Sequence, residues 1–506
     1  MPRIRPLLAT FGVLLTAGAC APATPPADVT PPRDPGAAIT EADLRRDLFA
    51  LAGDAMRGRE AGTLDELRAS VWVAERAREA GLEPAGDDGT YFQFFPLRRT
   101  RVSPTSTVAV GSQSLRLVHD VVALSPVDAT LDVPIVFVGE GREADLAGVD
   151  VRGKAVVIML VAPTPLPRAD VSLAGYRWTS TALRQRGAAM ARAGAAAVLI
   201  VGDDVAEAEW SFLGGSLANG RYGLDSTGVP DATPTGAAAV PALWVRRAHL
   251  AALRAPDARL RATLRIGSFT YPSVNVVARV PGSDPVLRDE HVLISAHQDH
   301  DGVRLTTAGT DSIWNGADDN ATASVAALAI GRAFAARPGR RSALFVWHGA
   351  EERGLLGSRW YVDRPTVPRA SIVAVLNADM LGRNHPDSAA LLGVVPPHRN
   401  SSELVAMALE ANAAVSRFAV DSTWDDPMHP EGWYFRSDHV PYARAGIPAL
   451  FFTTLLHPDY HTERDDPETI DIGKLTRMTR WMYETAARVA AAPRRPALDP
   501  EARLER

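Results

Sequence analysis

The sequence of 506 residues predicts an α/β protein with a mostly parallel central sheet flanked by helices, and with an inserted, β-rich α+β domain. The first observation is that short apolar runs alternate with segments of helical periodicity after residue 273. The second is that these runs are apolar throughout, which is typical of strands covered on both faces. The third is a change of sequence pattern between residues 117 and 266, where no acid is paired with a histidine at the spacing of metal ligands.

The N-terminal segment is expected to lie outside the folded domains. Residues 1–20 are typical of a signal peptide, because Arg3 and Arg5 precede an apolar run that ends in small residues before Cys20. The position of this cysteine favours a lipoprotein signal. Residues 21–38 are rich in proline and predict an extended linker. We therefore expect an exported protein, periplasmic or tethered to the outer membrane by lipid on Cys20, with secretion as the alternative.

The composition argues against nucleic acid and membrane partners, and it excludes an intramolecular disulfide. Hydrophobic residues make up 46% and charged residues 22% of the chain, as in ordinary soluble domains. The net charge is only -5, and no block of basic residues is interleaved with aromatic ones, so we expect no nucleic acid and no membrane contact except through the lipid anchor. Cys20 is the only cysteine, so no intramolecular disulfide can form.

Residues 39–116 are expected to form the N-terminal part of the main domain. Apolar residues recur at helical spacing over residues 44–51 and again over 64–74, and residues 91–95 resemble a strand. The second helix is predicted from Leu64, Leu67, Val71 and Ala74.

Residues 117–266 are expected to form the insert. It has predicted strands over residues 134–139, 154–160 and 194–201, and an alanine-rich helix over residues 181–193.

Residues 267–492 are expected to form the rest of the main domain, followed by a C-terminal tail over 493–506. Its predicted strands are residues 274–280, 292–296, 343–347, 372–376 and 449–453, and its predicted helices are residues 323–334, 404–415 and 475–489.

Histidines and acids follow the ends of these strands. They are His297, Asp318, Glu351, Glu352, Asp379 and His461. Ligands bind beyond the carboxyl ends of the strands in such sheets, so these side chains are expected to meet at one edge. Two imidazoles with several carboxylates and no thiolate suit zinc, and they are too many for one tetrahedral ion. The sequence therefore predicts two zinc ions, which would polarise a carbonyl and lower the pKa of a bridging water.

Two common hydrolase motifs are absent from the sequence. There is no HExxH helix, which excludes the commonest single-zinc protease site. There is no Gly-x-Ser-x-Gly elbow, which argues against a serine hydrolase of the α/β type.

The chain resembles the family M28 metallopeptidases, a group of di-zinc aminopeptidases and related exopeptidases. The motifs that carry the resemblance are Gly58-Arg59-x-x-Gly62, His297-x-Asp299, Gly316-Ala317-Asp318-Asp319-Asn320, Glu351-Glu352, Asn377-x-Asp379-Met380 and Tyr460-His461-Thr462. The insert resembles a protease-associated domain through Arg152-Gly153-Lys154 and the alanine-rich residues 193–197. The resemblance implies the fold of the zinc-dependent exopeptidases, which is a phosphorylase/hydrolase-like fold.

The resemblance also implies a role for each motif residue. His297 and Asp379 would hold one zinc, Glu352 and His461 the other, with Asp318 between them and joined to Asp319 by a cis peptide. Glu351 would be the general base, Asp299 would orient His297, and Tyr460 would support the oxyanion. The histidines at 300, 348, 429 and 457 match no ligand position. Trp314, Trp424 and Trp433 are candidates for a substrate pocket, and His439 for a structural hydrogen bond.

The sequence therefore predicts an exported di-zinc aminopeptidase that acts on peptides. A carboxypeptidase or dipeptidase of the same fold is the first alternative. A glutaminyl cyclase and a non-catalytic binding protein on a peptidase scaffold are further alternatives. The complete set of ligands argues against the last two.

Overall fold

The computed structural model describes residues 38–167, 173–225, 240–304, 311–502 and 504. The predicted signal peptide, Cys20 and nearly all of the linker lie outside the described residues. Among the described residues, no helix has the length and apolar character needed to cross a membrane.

The strands alternate with helices along the described chain. The strands are β1 (Glu83–Pro84), β2 (Phe92–Val102), β3 (Thr107–Val110), β4 (Gln113–Leu115), β5 (Val121–Ala123), β6 (Ala129–Phe137), β7 (Ala155–Leu160), β8 (Ala197–Gly202), β9 (Arg221–Leu224), β10 (Ala242–Val245), β11 (Arg259–Leu264), β12 (Ile266–Val280), β13 (His291–His297), β14 (Gly302–Val303), β15 (Ile313–Trp314), β16 (Ser342–His348), β17 (Ile372–Ala378), β18 (Ser388–Leu392), β19 (Ala419–Asp421) and β20 (Ala449–Thr453). The α-helices are α1 (Glu41–Leu51), α2 (Leu64–Glu79), α3 (Glu143–Leu146), α4 (Ala174–Arg192), α5 (Asp204–Ala208), α6 (Gly215–Asn219), α7 (Leu250–Leu253), α8 (Ala323–Ala336), α9 (Leu356–Asp363), α10 (Ser402–Ala411), α11 (His439–Arg444) and α12 (Ile472–Ala491).

The main sheet is mixed, with a parallel centre. Its order is β19-β18-β20-β17-β13-β16-β12-β2-β9, and β1 also pairs with β12. Strands β20, β17, β13 and β16 run parallel to one another, whereas β12, β2 and β9 pair antiparallel. The four parallel strands are apolar and buried along their length, as their sequences predict. The predicted α/β fold is therefore confirmed, with antiparallel pairs towards both edges, since β18 also pairs antiparallel with β20.

Helices cover both faces of the main sheet. On one face α1, α2, α8, α10 and α12 share one apolar core with the strands. On the other face Tyr361 of α9 and Tyr442 of α11 pack against Val277, Leu293 and Leu344. The sheet is thus shielded from water, and its strand ends are the open positions where polar side chains can gather.

The second sheet forms the predicted insert and is barrel-like. Its order is β4-β3-β11-β6-β7-β8-β10-β5, and its two terminal regions approach each other at a bridge between Leu117 and Val121. This sheet begins at Thr107, whereas the sequence placed the boundary at residue 117. The difference arises because β3 and β4 are short strands that turn at Gly111, and no change of composition marks them. Strand β9 leaves the insert and pairs with β2 at the edge of the main sheet.

Helix α2 exists where the sequence predicts it, but it buries a different face. Leu64 is 78% exposed, and Leu67 and Val71 are also exposed. The buried face instead carries small residues and Val73 together with the carboxylate of Glu66. Glu66 accepts hydrogen bonds from Ser273 Oγ and from the backbone N–H of Gly62, both at 2.6 Å, which satisfies its buried oxygens.

Candidate metal centre

Four neighbouring strands deliver the candidate ligands to one edge of the main sheet. β13 ends at His297, and β17 ends directly before Asp379. Glu351 and Glu352 follow β16, and His461 lies in the loop after β20. Because these strands are parallel neighbours, their carboxyl ends meet as predicted.

One group of donor atoms surrounds His297. Its Nε2 atom lies 3.2 Å from Asp319 Oδ1 and 3.4 Å from Asp379 Oδ2. Glu351 Oε2 is also near, at 3.8 Å. Asp379 is held in place by Ser437, whose Oγ donates to Asp379 Oδ2 at 2.8 Å. These atoms are buried and converge on one small space.

A second group surrounds His461. Its Nε2 atom lies 3.0 Å from Asp319 Oδ2 and 3.3 Å from Glu352 Oε2. His300 also belongs to this group, because its Nδ1 atom lies 2.8 Å from Glu352 Oε1. The sequence did not assign a ligand position to His300, and only its place after the His297-x-Asp299 motif marks it.

Asp319, and not Asp318, lies between the two imidazoles. Asp319 directs Oδ1 to His297 and Oδ2 to His461, so its carboxylate joins the two groups. The predicted bridging position for Asp318 is therefore wrong. The cis peptide bond is likewise shifted by one residue and joins Asp319 to Asn320.

The surroundings of Asp318 explain this shift. Its Oδ1 accepts from the N–H of Gly382 at 2.7 Å, and its Oδ2 lies 3.4 Å from His457 Nε2. The backbone N–H groups of Asp318 and Asp319 both donate to the buried carboxylate of Asp465. This anchor turns the first acid towards Gly382 and the second towards the imidazoles.

Asp299 contacts the centre differently from the predicted arrangement. His297 Nδ1 lies 3.1 Å from the backbone carbonyl oxygen of Asp299, while its carboxylate Oδ1 is 3.8 Å away. The carboxylate accepts instead from the N–H of Glu351 at 3.0 Å and of Glu352 at 3.3 Å. Asp299 therefore holds both the imidazole and the pair of glutamates, through different atoms.

Asp301 holds the other histidine. Its Oδ2 atom lies 3.2 Å from His461 Nδ1. Its Oδ1 atom contacts Arg304 and lies 3.1 Å from Arg353 Nη1. Asp301 is an acid that the sequence reasoning passed over, and no spacing motif could have identified it.

Arg59 ties the loops of the site together. Its buried guanidinium donates to the carbonyl oxygens of Leu51 (2.9 Å), Gln298 (2.8 Å), Asn315 (2.7 Å) and Gly316 (2.9 Å). Burial lowers the pKa of Arg59 to about 10, which still leaves it charged at neutral pH. The Gly58-Arg59 motif is thus structural and lies under the metal-binding loops.

Electrostatics and donor chemistry both fit divalent cations. Burial raises the pKa of Asp379 to about 6. Burial opposes protonation of His297 and His461, but the surrounding carboxylates outweigh it and hold the pKa of both imidazoles well above the usual range. Within the described part of the chain, His297 Nε2, His300 Nε2 and Asp379 Oδ1 are buried without a hydrogen bond. A site with imidazole nitrogen and carboxylate oxygen ligands and an excess of negative charge suits zinc.

The other residues singled out by sequence lie around the centre. His439 stacks on Phe451, with ring centroids 4.9 Å apart, and its two ring nitrogens make no hydrogen bond to the described residues. Trp433 packs edge-on against Tyr460 at 6.1 Å, and Trp424 packs against Trp433. Tyr460 in turn lies 4.0 Å from the His461 ring, measured between centroids.

A cleft of about 330 Å³ opens onto the donor atoms. Its lining includes Glu351, Glu352, Tyr460 and His461 from the main domain, and Leu173, Tyr176 and Phe212 from the insert. Phe212 packs edge-on against His461, with ring centroids 5.3 Å apart. The insert therefore borders the site.

An α/β fold with a buried histidine–carboxylate site beneath an open cleft is typical of metal-dependent hydrolases. Residues 275–486 match the family model described as Peptidase family M28. The matched residues include every candidate metal ligand, so this part of the chain is a peptidase domain of the zinc aminopeptidase type.

Two of the similar proteins are named as aminopeptidases. A probable leucine aminopeptidase of Arthroderma otae is 24% identical over 289 residues, which cover 54% of this chain and 70% of that protein. Aminopeptidase YwaD of Bacillus subtilis is 27% identical over 239 residues, covering 44% of this chain and 47% of that protein.

A solved structure of a zinc aminopeptidase from Bacillus subtilis has a TM-score of 0.59 and 19% identity, and the match covers 90% of this chain and 96% of that one. An aminopeptidase structure from Aneurinibacillus has a TM-score of 0.56 and 19% identity, covering 92% and 97%. At these identities the structures establish the fold, and that fold includes the insert within the matched length.

Proposed function

We propose that this protein is an exported di-zinc aminopeptidase that hydrolyses the N-terminal peptide bond of peptides. The observation that carries the proposal is the carboxylate of Asp319, which lies between His297 and His461. Each imidazole also has a carboxylate of its own, Asp379 or Glu352. Two ions that share one carboxylate fit this arrangement.

His297 and Asp379 would hold one zinc, Glu352 and His461 the other, and Asp319 both. His300 is near enough to Glu352 to orient it. When bound, two zinc ions polarise the scissile carbonyl and ease the deprotonation of water.

Glu351 is the residue we propose as general base. It lines the cleft, and its backbone N–H is fixed by Asp299 Oδ1 at 3.0 Å. Glu352 is engaged by His300 and His461, so the two adjacent glutamates face different partners. Glu351 would take a proton from the attacking water and return it to the leaving amine.

Tyr460 is proposed to support the developing oxyanion. It lines the cleft beside His461, and burial raises the pKa of its hydroxyl, which keeps the proton in place at neutral pH. A protonated phenol can donate a hydrogen bond to a carbonyl oxygen as negative charge develops on it.

Export remains a proposal from the sequence of residues 1–20, with lipid on Cys20 as the membrane anchor. Fractionation of cells that produce the full chain tests it. Recovery in the envelope fraction is expected, and recovery in the cytoplasm would contradict it.

A panel of reporter substrates tests the activity. Aminoacyl, dipeptidyl and C-terminally blocked or free peptide reporters are compared with and without a chelator, followed by addition of zinc. We expect release of the single N-terminal residue, loss with the chelator and recovery with zinc. Release of C-terminal residues instead would favour the carboxypeptidase alternative.

A further inference from the structure

The cleft is built from both parts of the molecule. The insert supplies Leu173, Tyr176 and Phe212, and the main domain supplies Leu355 and Phe435. Tyr176 and Phe212 stack with ring centroids 4.8 Å apart. These apolar side chains line part of the space, so a charged contact made beside them is less screened than in bulk water.

One arginine in this cleft has hydrogen-bond donors that the described protein residues do not engage. Arg436 lines the cleft, and its side chain is 31% exposed. Its guanidinium lies over the Trp433 ring at 4.8 Å. In the described part of the chain, its side chain makes one hydrogen bond, a long contact of 3.4 Å from Nη1 to Glu431 Oε2. A guanidinium has five donors, so most of them remain for a ligand.

Glu431 pairs more closely with Arg177 than with Arg436. Its carboxylate is fully buried, and the same Oε2 atom forms an ion pair with Arg177 from α4 of the insert. This pair fixes the insert against the main domain beside the cleft. Because Arg177 makes the close contact, the carboxylate only partly offsets the charge of Arg436.

The other cleft arginine is not available in the same way. Arg353 is buried, with its Nη1 atom 3.1 Å from Asp301 and its Nη2 atom 3.7 Å from Glu60. These two carboxylates hold its pKa well above the usual range despite burial. Arg436 is therefore the cleft cation suited to an anionic ligand.

Distance sets the length of that ligand. Arg436 Cζ is 6.0 Å from the Tyr460 ring centroid, which lies 4.0 Å from that of His461. Arg436 is thus within about 10 Å of the imidazole, and an extended peptide advances roughly 3.5 Å per residue. A carboxylate two or three residues beyond the scissile bond would reach it.

We propose that Arg436 binds the terminal carboxylate of tripeptides and tetrapeptides, so that short free peptides are the preferred substrate class. This inference rests on the proposed aminopeptidase function. Arginine suits the role because its planar fork binds a carboxylate through two parallel hydrogen bonds.

The test compares Leu-Gly-Gly and Leu-Gly-Gly-Gly as free acids and as C-terminal amides, with Leu-Gly-Asp amide as a side-chain carboxylate. Release of leucine is measured with the zinc-loaded full chain. We expect kcat/KM for the free acids to exceed that for the amides about tenfold, the value of a charge-assisted hydrogen bond. Arg436→Gln should bring this ratio close to one, mainly through KM, and Arg436→Lys should give an intermediate ratio.

Arg488→Gln is the matched control. Arg488 lies on α12 outside the cleft lining and has a similar side-chain exposure, 33%. The ratio of kcat/KM for free acids to that for amides should be the same in Arg488→Gln as in the wild type. Should Arg436→Gln fail to fold, the wild-type ratio and the Arg436→Lys ratio still decide the question.

Each result is distinguishable from failure of the proposed function. Leucine release with equal rates for acids and amides would overturn the inference and leave the aminopeptidase standing. Recovery of the lost rate by Leu-Gly-Asp amide would overturn the assignment to the terminal carboxylate. Release of the C-terminal residue would contradict the aminopeptidase, while a ratio that depends on Arg436 would still support carboxylate binding.

Discussion

At the scale of single residues, the two adjacent acids Asp318 and Asp319 have separate tasks. Asp319 faces both imidazoles, whereas Asp318 accepts from Gly382 N–H and lies near His457. We expect Asp319→Asn to lose most bound zinc and activity, because a neutral amide cannot replace the shared carboxylate. Asp318→Asn should retain more zinc and lose stability instead. Zinc content and thermal unfolding of the two variants check this.

The reverse pattern would contradict the assignment. If Asp318→Asn lost its zinc while Asp319→Asn kept a full complement, the bridging ligand would be Asp318 after all.

Glu351→Gln separates catalysis from metal binding. We expect full zinc content with turnover reduced roughly 10²–10⁴-fold, the usual contribution of a general base. Zinc analysis and kcat on an aminoacyl reporter provide the measurement. Near-normal turnover would remove Glu351 from the proton transfer.

His291, at the start of β13, makes stability depend on pH. Burial, together with Arg279, lowers the pKa of His291 to about 4 from an ordinary value of 6.5. Between these values the unfolded chain binds the extra proton and the folded chain does not, so stability falls as pH drops from 6.5 to 4. His291→Asn should reduce this loss by up to about 3 kcal/mol.

Denaturant unfolding at several pH values tests this, with a chelator present throughout so that metal release contributes nothing. A pH dependence equal to that of the wild type would show that His291 titrates normally in the folded protein.

The meeting of the candidate ligands was largely predictable from strand ends, because parallel neighbours bring His297, Asp379 and the glutamates to one edge. Sequence could not choose between Asp318 and Asp319. Their orientation depends on Asp465, which lies far along the chain and fixes both backbone N–H groups. For the same reason His300 was given no ligand position and Asp301 was not singled out, since their partners come from distant loops.

At the scale of elements, helix α2 shows that periodicity alone can select the wrong face. Its large apolar residues point outwards, and small residues with Val73 face the core. Where α2 packs against β12 and α8, most of its buried side chains are small. The helix was therefore predictable, but its orientation required the partners that it packs against.

A pair of substitutions in α2 tests the observed face. Val73→Ala removes two buried methyl groups and should cost about 1–3 kcal/mol of unfolding free energy. Leu64→Ala, at a position 78% exposed, should change it by less than about 0.5 kcal/mol. Denaturant unfolding measures both, and a larger loss for Leu64→Ala would restore the predicted face.

At the scale of the whole molecule, the metal centre is expected to contribute to stability. Without bound cations, several buried carboxylates repel one another beside the imidazoles. A ligand that binds only the folded state adds about 2.7 kcal/mol at a hundredfold excess over Kd. Removal of zinc should therefore lower Tm by several degrees, and adding zinc should restore it.

Scanning calorimetry with and without a chelator measures the shift. Asp319→Asn is the internal control, because it should respond weakly to either treatment. An unchanged Tm in the wild type would mean that the ions contribute little to the folded state.

The presence of a second, β-rich sheet was predictable, since the strand-rich insert and the alternating main domain differ in sequence pattern. The second sheet begins earlier than residue 117 because β3 and β4 are short strands that no change of composition marks. The return of β9 to the main sheet had no sequence signal, because edge pairing depends on neighbours rather than on composition.

The partners of Arg59 determine how early in synthesis the floor of the metal site can form. It is made before the insert, whereas three of its four carbonyl partners are 239, 256 and 257 residues further along the chain. Domains generally fold as units while the chain emerges from the ribosome. The floor of the metal site can therefore close only after residue 316 has been translated, when the strands of the insert, between Thr107 and Leu264, have already been made.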